Sequence, residues 1–256
     1  MYPLSTLMLA GIKDILIIST RESLPSYESL LSDGTDLGIT IRYKVQEKPE
    51  GIAQAFLLAE EFIEGHNVAL ILGDNIFHGA GLGTRLSALR DLKGATIFAY
   101  KVTDPERYGV VEFSSTGTVL SIEEKPQLPK SSFAIPGLYF FDETVVGIAK
   151  EVEKSARGEL EITSIIERYL GDKKLSVTVL DRGTAWLDTG TFESLHAASS
   201  YVRIVEERQG SKIACLEEIA WRNSWIDSKQ LQSLAHRYNG NPYGEYIEQL
   251  ITEEFY

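Results

Sequence analysis

The fold class is decided by a stretch that reads Val68-Ala69-Leu70-Ile71-Leu72-Gly73-Asp74-Asn75. Five consecutive apolar residues are typical of a strand that is buried on both faces, and Asp74 follows its end. A similar short apolar run at residues 15–19 predicts another strand, and residues 39–45 are predicted to form a further strand; each is followed by a helical pattern. Such alternation of strand and helix predicts a parallel sheet with right-handed crossovers.

The pattern changes downstream of residue 102. Strands predicted at residues 110–113, 119–124 and 137–141 are joined by turns and not by helices, which predicts a small antiparallel insertion beside the parallel sheet. From about residue 192 to residue 256 the chain reads mostly as helices. We therefore predict an α/β fold with a mostly parallel central sheet flanked by helices, in a single domain that spans residues 1–256.

Composition excludes several classes of function. The formal net charge is −12, and Lys and Arg form no run, which argues against nucleic acid as a partner. No apolar run approaches the roughly 20 residues that span a bilayer, so no membrane partner is predicted. Cys215 is the single cysteine, which leaves no internal disulfide and predicts a cytoplasmic protein.

Two aspartates lie at predicted strand ends, where ligands bind in open α/β sheets. Asp74 follows the strand quoted above, and Asp188 follows Trp186-Leu187 and precedes Thr189-Gly190. Magnesium is usually held by one or two carboxylates together with substrate phosphates, so the pair is a candidate Mg²⁺ site. The alternative is that each aspartate forms a turn or caps a helix.

Other polar segments follow strand ends. Gln46 and Gly51 lie between a strand and a helix, where an amide could contact a base edge and a glycine could let a ring approach the backbone. Glu124 and Lys125 end a strand; a carboxylate there could hold sugar hydroxyls, and a lysine could neutralise a phosphate. Taken alone, these residues are better explained as an ordinary polar loop and a solvated strand end.

The segment Gly79-Ala80-Gly81-Leu82-Gly83-Thr84-Arg85 looks like a phosphate-binding loop. As a nicotinamide-dinucleotide fingerprint it fails, because its glycines recur at every second position and no acidic residue ends a following strand at the expected place. We interpret it as a flexible loop that enters a helix.

Together and in order, these segments resemble the sugar-phosphate nucleotidyltransferase family. The resemblance runs from about Tyr2 to beyond Tyr243 and includes Leu72-Gly73-Asp74-Asn75 and Trp186-Leu187-Asp188-Thr189-Gly190. The other matching segments are residues 2–12, 104–112, 123–126, 137–139, 155–163 and 204–210.

The resemblance implies a Rossmann-like nucleotidyltransferase fold, usually assembled as a homotetramer. It also implies Mg²⁺-dependent transfer of dTMP from dTTP to glucose 1-phosphate, which yields dTDP-glucose and pyrophosphate as the first step of dTDP-rhamnose biosynthesis. Feedback by dTDP-rhamnose and the strictness of thymidine over uridine stay open.

Matching positions imply roles for individual residues. Asp74 and Asp188 correspond to the two magnesium-binding aspartates, and Lys125 to a lysine that contacts the sugar phosphate; these three are the predicted catalytic residues. Gln46, Gly51 and Asp74 are predicted to contact the nucleotide. The residues predicted to surround the glucose are Gly109, Glu124, Tyr139, Glu159 and Trp186.

The family begins with a strand and a loop of the form Gly-Gly-x-Gly-Thr-Arg-Leu, followed by a lysine, and this segment wraps the triphosphate. Here Met1-Tyr2-Pro3 stands where the family has already passed it. A fragment, a start site placed at an internal Met and a truncated gene are all open explanations. We therefore expect an active enzyme from the parent gene. For residues 1–256 alone, we expect an inactive remnant that binds dTDP-sugar or pairs with an intact subunit.

Overall fold

The computed structural model describes residues 1–252; the last four residues of the predicted domain and of its helical C-terminal part lie outside the described residues. Within residues 1–252, no helix combines the length and the apolar character needed to cross a membrane. The described part contains eleven strands and eleven α-helices, together with 3₁₀ turns at Thr35–Leu37 and Pro105–Arg107.

The strands are β1 (Asp14–Ser19), β2 (Thr40–Val45), β3 (Val68–Ile71), β4 (Asn75–His78), β5 (Ala95–Lys101), β6 (Gly109–Phe113), β7 (Val119–Glu124), β8 (Phe133–Ala134), β9 (Leu138–Phe141), β10 (Leu175–Val179) and β11 (Ala185–Asp188). The helices are α1 (Tyr2–Leu9), α2 (Leu24–Leu31), α3 (Gln54–Leu58), α4 (Glu60–Ile63), α5 (Leu82–Ser87), α6 (Val145–Glu151), α7 (Ile162–Gly171), α8 (Phe192–Gln209), α9 (Leu216–Arg222), α10 (Ser228–Arg237) and α11 (Pro242–Thr252).

The α/β class is confirmed, but the prediction of a mostly parallel sheet is wrong. Strands β1 and β2 pair in parallel, as predicted, and β10 lies parallel to β5. The seven-stranded sheet otherwise runs antiparallel in the order β3-β9-β5-β8-β6-β7. The cause is β9, which we had placed in a separate insertion: it lies between β3 and β5 and runs antiparallel to both.

A third unit is the antiparallel ribbon of β4 and β11, in which Asp188 lies opposite Asn75. Helix α8 begins directly after this ribbon. Its cap is reciprocal, because the Thr191 hydroxyl accepts from the Ser194 amide at 3.1 Å while the Ser194 hydroxyl accepts from the Thr191 amide at 3.1 Å. The capped helix start fixes where the chain leaves Asp188.

Three apolar clusters hold these units together. One joins the sheet to α3, α6 and α7 and includes Phe56, Phe141 and Tyr169. A second joins α1, β1 and β2 to the C-terminal helices, which confirms the helical character predicted beyond residue 192. The third lies beneath the β4–β11 ribbon and includes Phe77 and Trp186. Burial of this apolar surface is the main force that holds the ribbon on the sheet.

Candidate active site

Asp74 and Asp188 lie side by side at the end of the β4–β11 ribbon. The backbone carbonyl of Asp74 accepts hydrogen bonds from the amide and the hydroxyl of Thr189, each at 2.9 Å. A Cβ atom added to Gly190 would lie 3.1 Å from Oδ1 of Asp188 and 3.5 Å from Oδ2 of Asp74. Oxygens of both carboxylates therefore border one small space beside Gly190.

This space suits a hard divalent cation. Among residues 1–252, no group of three or more His, Cys, Asp and Glu side chains could enclose a metal alone. Magnesium does not need such a cage, since it commonly takes one or two carboxylates and fills its other positions with water and substrate phosphates. The carboxylate oxygens of Asp74 and Asp188 match this mode of magnesium binding.

Asp188 is oriented by three donors. Its Oδ1 accepts from the amide of Gly190 at 2.9 Å, and its Oδ2 accepts from Nη2 of Arg107 at 3.1 Å and from the Tyr108 hydroxyl at 3.3 Å. Burial and the charge of Asp188 raise the pKa of Tyr108 to about 12, so the phenol stays protonated and keeps donating.

Asn75 ties the ribbon to the sheet. It is buried, donates from Nδ2 to Oδ1 of Asp74 at 2.7 Å, and accepts on Oδ1 from the indole of Trp186 at 2.6 Å and from the amide of Gly137 at 3.0 Å. Trp186 in turn packs edge to face against Tyr108, with ring centroids 5.0 Å apart. Trp186 therefore supports Asp74 through Asn75.

The predicted sugar residues Gly109, Glu124 and Tyr139 come together beside the aspartates. A Cβ atom on Gly109 would lie 3.5 Å from Oε2 of Glu124. Burial raises the pKa of Tyr139, and the carboxylates of Glu124 and Asp74 act in the same direction. Burial and the carboxylate of Glu161 raise the pKa of Glu124, with the Lys125 ammonium opposing them.

Glu159 joins this group through Arg157. The guanidinium of Arg157 lies 3.6 Å from the Glu159 carboxylate, 3.7 Å from that of Glu161 and 3.9 Å from that of Glu124. Lys125 is exposed at the end of β7 with a left-handed backbone (φ 42°), and its amide donates to the Tyr108 carbonyl at 3.0 Å. The lysine is thus held next to the residues that contact Asp188.

Gln46 and Gly51 lie on a groove of about 810 Å³ that Glu159 and Gly73, the neighbour of Asp74, also line. The Gln46 amide donates from Nε2 to Oε1 of Gln54 at 2.6 Å, which fixes its orientation. A Cβ atom on Gly51 would lie 2.4 Å from the Leu160 carbonyl oxygen. Close backbone packing therefore requires this glycine, whereas contact with a base stays a prediction.

Arg107, Asn75 and Gln54 contact predicted site residues, yet no role was assigned to them from the sequence. Arg107 stands inside the matching segment 104–112, which is the one signal that could have drawn attention to it. Asn75 likewise stands inside the matching segment that contains Asp74, whereas none of the matching segments contains Gln54. The glycine-rich segment at residues 79–85 connects β4 to α5, and Arg85 on α5 forms an ion pair with Asp181.

Comparisons with known proteins identify the family of this chain. The profile of the Nucleotidyl transferase family matches residues 1–203. The glucose-1-phosphate thymidylyltransferase of Mycolicibacterium smegmatis is 53% identical over 253 residues, which are 99% of this chain and 88% of that relative. The enzyme of the same name from Neisseria meningitidis is 54% identical over 98% of this chain and 88% of its own length.

Solved structures give the same result. A Bacillus anthracis chain assigned as a glucose-1-phosphate thymidylyltransferase superposes with a TM-score of 0.72 at 38% identity, covering 79% of this chain and 81% of that one. A UDP-glucose pyrophosphorylase bound to UDP-glucose superposes with a TM-score of 0.66 at 22% identity over 79% and 85% of the two chains, which shows the fold alone. With a family profile that covers most of its length and relatives at more than 50% identity, this chain belongs to the nucleotidyl transferase family.

Proposed function

We propose that this chain is a glucose-1-phosphate thymidylyltransferase, which transfers dTMP from dTTP to glucose 1-phosphate. The observation that carries the proposal is identity above 50% to curated enzymes of that name over 98–99% of the chain. None of the comparisons favours the alternative of an inactive remnant. The paired carboxylates at the ribbon end and the carboxylate-lined pocket beside them suit a nucleotide and a sugar phosphate.

The reaction is an in-line displacement at phosphorus. A phosphate oxygen of glucose 1-phosphate attacks the α-phosphorus of dTTP, and the bond between the α-phosphorus and the bridging oxygen breaks. Pyrophosphate leaves with the electron pair of that bond, and dTDP-glucose remains. The protein contributes position and charge and forms no covalent bond, as is usual in phosphoryl transfer.

Asp74 and Asp188 would hold the divalent cation, expected to be Mg²⁺, in the space beside Gly190. When bound, the cation neutralises charge on the phosphate oxygens. The Gly190 amide and the Tyr108 hydroxyl would keep Asp188 turned towards that space. Lys125 is placed to neutralise the phosphate of the sugar substrate or product.

Gly109, Glu124, Tyr139, Glu159 and Trp186 form the proposed glucose side of the site, and Gln46 and Gly51 the thymine side. A carboxylate accepts hydrogen bonds from sugar hydroxyls, which suits Glu124 and Glu159. Gln46 can accept from a base N–H group with Oε1 while its Nε2 remains bound to Gln54. Every one of these contacts is a proposal that substitution can test.

Wider properties of the family extend the proposal. We expect dTDP-glucose to enter dTDP-rhamnose synthesis, with dTDP-rhamnose as a candidate feedback ligand and a homotetramer as the assembly. A cytoplasmic location is proposed on the single cysteine, Cys215, which is buried and free.

The test is pyrophosphate release by the purified 256-residue chain with dTTP, glucose 1-phosphate and MgCl₂. We expect release that stops in EDTA and falls when UTP replaces dTTP. An absence of release from a folded, monodisperse sample with every substrate present would contradict the proposal for this chain. Equal pyrophosphate release with UTP and with dTTP would contradict the thymidine preference.

A further inference from the structure

A chain of side-chain hydrogen bonds connects Gln46, on the proposed thymine side of the site, with Lys154. Nε2 of Gln46 donates to Oε1 of Gln54 at 2.6 Å, and Nε2 of Gln54 donates to Oε2 of Glu50 at 2.9 Å. The other carboxylate oxygen of Glu50 accepts from Nζ of Lys154 at 2.6 Å. Both glutamines are partly buried. Gln54 and Glu50 take no direct part in the reaction proposed above, so this chain of bonds needs another explanation.

The backbone holds both ends of this chain of bonds. The Gln46 amide donates to the carbonyl of Ser19, the last residue of β1, at 2.8 Å, and the Leu160 amide donates to the Glu50 carbonyl at 2.7 Å. Gln54 is the first residue of α3. The three side chains between these points therefore meet because their backbones are held in place.

The carboxylate of Glu50 sets the direction of these bonds. An ionised carboxylate accepts hydrogen bonds and donates none, so Gln54 has to turn its Nε2 towards Glu50 and its Oε1 towards Gln46. The backbone amide of Glu50 also donates to Oε1 of Gln54 at 3.3 Å, which favours the same direction. The hydrogen bond and the charge of Lys154 lower the pKa of Glu50, so its carboxylate stays ionised at neutral pH.

Gln46 consequently keeps its acceptor oxygen free. It lines the groove of about 810 Å³ that lies between β1 and β3. Rotation of a free glutamine amide by 180° exchanges its donor and its acceptor at little cost, because this torsion is roughly two-fold. Here Nε2 is held by Gln54, and no donor from residues 1–252 bonds to Oε1 of Gln46. Thymine and uracil carry a hydrogen on ring nitrogen N3, whereas N3 of cytosine is itself an acceptor.

We propose that Glu50 and Gln54 are positioning residues, which fix the direction of the Gln46 amide so that the site selects pyrimidines with an N3–H group over cytosine. This inference rests on the proposed function, in which Gln46 contacts the base. Oε1 of Gln46 accepts from the N3–H group of thymine or uracil. Cytosine would bring a second acceptor against Oε1 with no proton between them, and the Gln46 amide could not rotate to relieve this without breaking its bond to Gln54.

The test compares dUTP with dCTP, because these nucleotides share the sugar and the triphosphate and differ only at positions 3 and 4 of the base. Dissociation constants are measured by calorimetry on the 256-residue chain with MgCl₂ and without glucose 1-phosphate. We expect dUTP to bind at least about tenfold more tightly than dCTP, because dCTP loses one hydrogen bond and leaves an acceptor unpaired. A derivative of dUTP methylated at N3 lacks the N3–H group and is expected to bind no better than dCTP.

Glu50→Gln replaces the carboxylate by an amide of the same shape, which offers Gln54 either a donor or an acceptor. Only the 3.3 Å bond from the backbone amide of residue 50 then favours one direction, so the two glutamines can reverse together. We expect the dUTP preference to fall to about threefold or less. The side chain of Glu50 is 39% exposed, so the substitution is compatible with the fold. Glu60→Gln is the matched control, since Glu60 forms a similar surface pair with Lys150, and it should leave the preference unchanged.

A double variant tests the direction of the bonds itself. Glu50→Gln combined with Gln54→Glu exchanges the two side chains, so the carboxylate now lies beside Gln46 and accepts from its Nε2. We expect the dUTP preference to return to within about twofold of its original value, because a carboxylate at position 54 again leaves only Oε1 of Gln46 for the base. A purely structural role of Glu50 would instead predict a further loss of binding in the double variant, because two native side chains would be missing.

An unchanged dUTP preference in Glu50→Gln would overturn the inference, and so would a double variant that behaves like Glu50→Gln. Absence of any preference in the unsubstituted chain, or of binding by both nucleotides, would also overturn it. The catalytic proposal is judged separately, since binding requires no turnover. Pyrophosphate release with an unchanged preference would contradict the inference alone, and an altered preference without release would contradict the catalytic function alone.

Discussion

The β4–β11 ribbon and the groove between β1 and β3 both carry residues of the candidate site, but they differ in how those residues are supported. On the ribbon, Asp188 receives three hydrogen bonds and Asp74 is linked through buried Asn75 to Trp186. On the groove, Gln46 contacts Gln54 on the helix that follows it, and the outer edges of β1 and β3 pair with no strand among residues 1–252. The ribbon side is organised before substrate arrives, which is the arrangement that electrostatic catalysis needs.

The largest expected effect tests whether the ribbon carries the chemistry. Asp188→Asn keeps the shape but removes a charge from the proposed cation site, so we expect pyrophosphate release to fall about 10²- to 10³-fold. Asp181→Asn is the matched control, since Asp181 pairs with Arg85 on the surface. Circular dichroism and Mg²⁺ titration calorimetry accompany the rates. An unchanged rate in Asp188→Asn would remove the aspartate pair from the mechanism.

The next prediction concerns the support of the ribbon. Asn75→Ala leaves the Trp186 indole and the Gly137 amide as buried donors without their acceptor, so we expect the free energy of unfolding to fall by about 2–4 kcal/mol in urea titration. Asn67→Ala is the control: Asn67 donates to the carbonyls of Arg90 and Leu92 at the surface, and its loss should cost less than about 1 kcal/mol. Equal losses in both variants would argue that the ribbon is not specially supported.

The proximity of Asp74 and Asp188 could be predicted from the sequence, whereas the direction of several sheet strands could not. Apolar runs reveal burial, so the strands at 15–19 and 68–72 could be predicted, but burial carries no information on strand direction, and the antiparallel position of β9 beside β3 could not be predicted. Asp74 and Asp188 were recognisable because each follows a strand. The bond between Asn75 and Trp186 joins residues 111 positions apart, and no local pattern announces such a contact.

A third prediction tests the groove side. Gly51 has a φ of 111°, and an added Cβ would meet the Leu160 backbone at 2.4 Å. We expect Gly51→Ala to lower the free energy of unfolding by about 2–3 kcal/mol and to weaken dTTP binding, because the backbone that follows Gln46 must shift. Gly65→Ala is matched: its φ of 77° is also left-handed, but no atom lies within 4 Å, so about 1 kcal/mol is expected. Equal losses in the free energy of unfolding in the two variants would mean that the backbone around Gly51 can shift to accommodate the added methyl group.

The smallest expected effect concerns Arg107, whose guanidinium contacts Asp188 at 3.1 Å and Asp104 at 2.9 Å while its side chain remains 42% exposed. A cation that binds Asp188 must compete with this ion pair. Exposed ion pairs are worth about 0.2–1 kcal/mol, so Arg107→Gln should tighten Mn²⁺ binding by no more than about fivefold at low salt.

The control for Arg107 is Arg203→Gln, which breaks a surface pair with Glu207 on α8 and should leave Mn²⁺ affinity unchanged. Calorimetry without substrates separates affinity from catalysis, and added salt should reduce the difference because screening weakens the competing pair. Weaker Mn²⁺ binding in Arg107→Gln would mean that the arginine orients Asp188 for the cation and does not compete with it. In that case Arg107, on the 3₁₀ turn Pro105–Arg107, would be a further residue that orients the Asp188 carboxylate before the cation binds. The difference in side-chain support between the ribbon and the groove would then be larger.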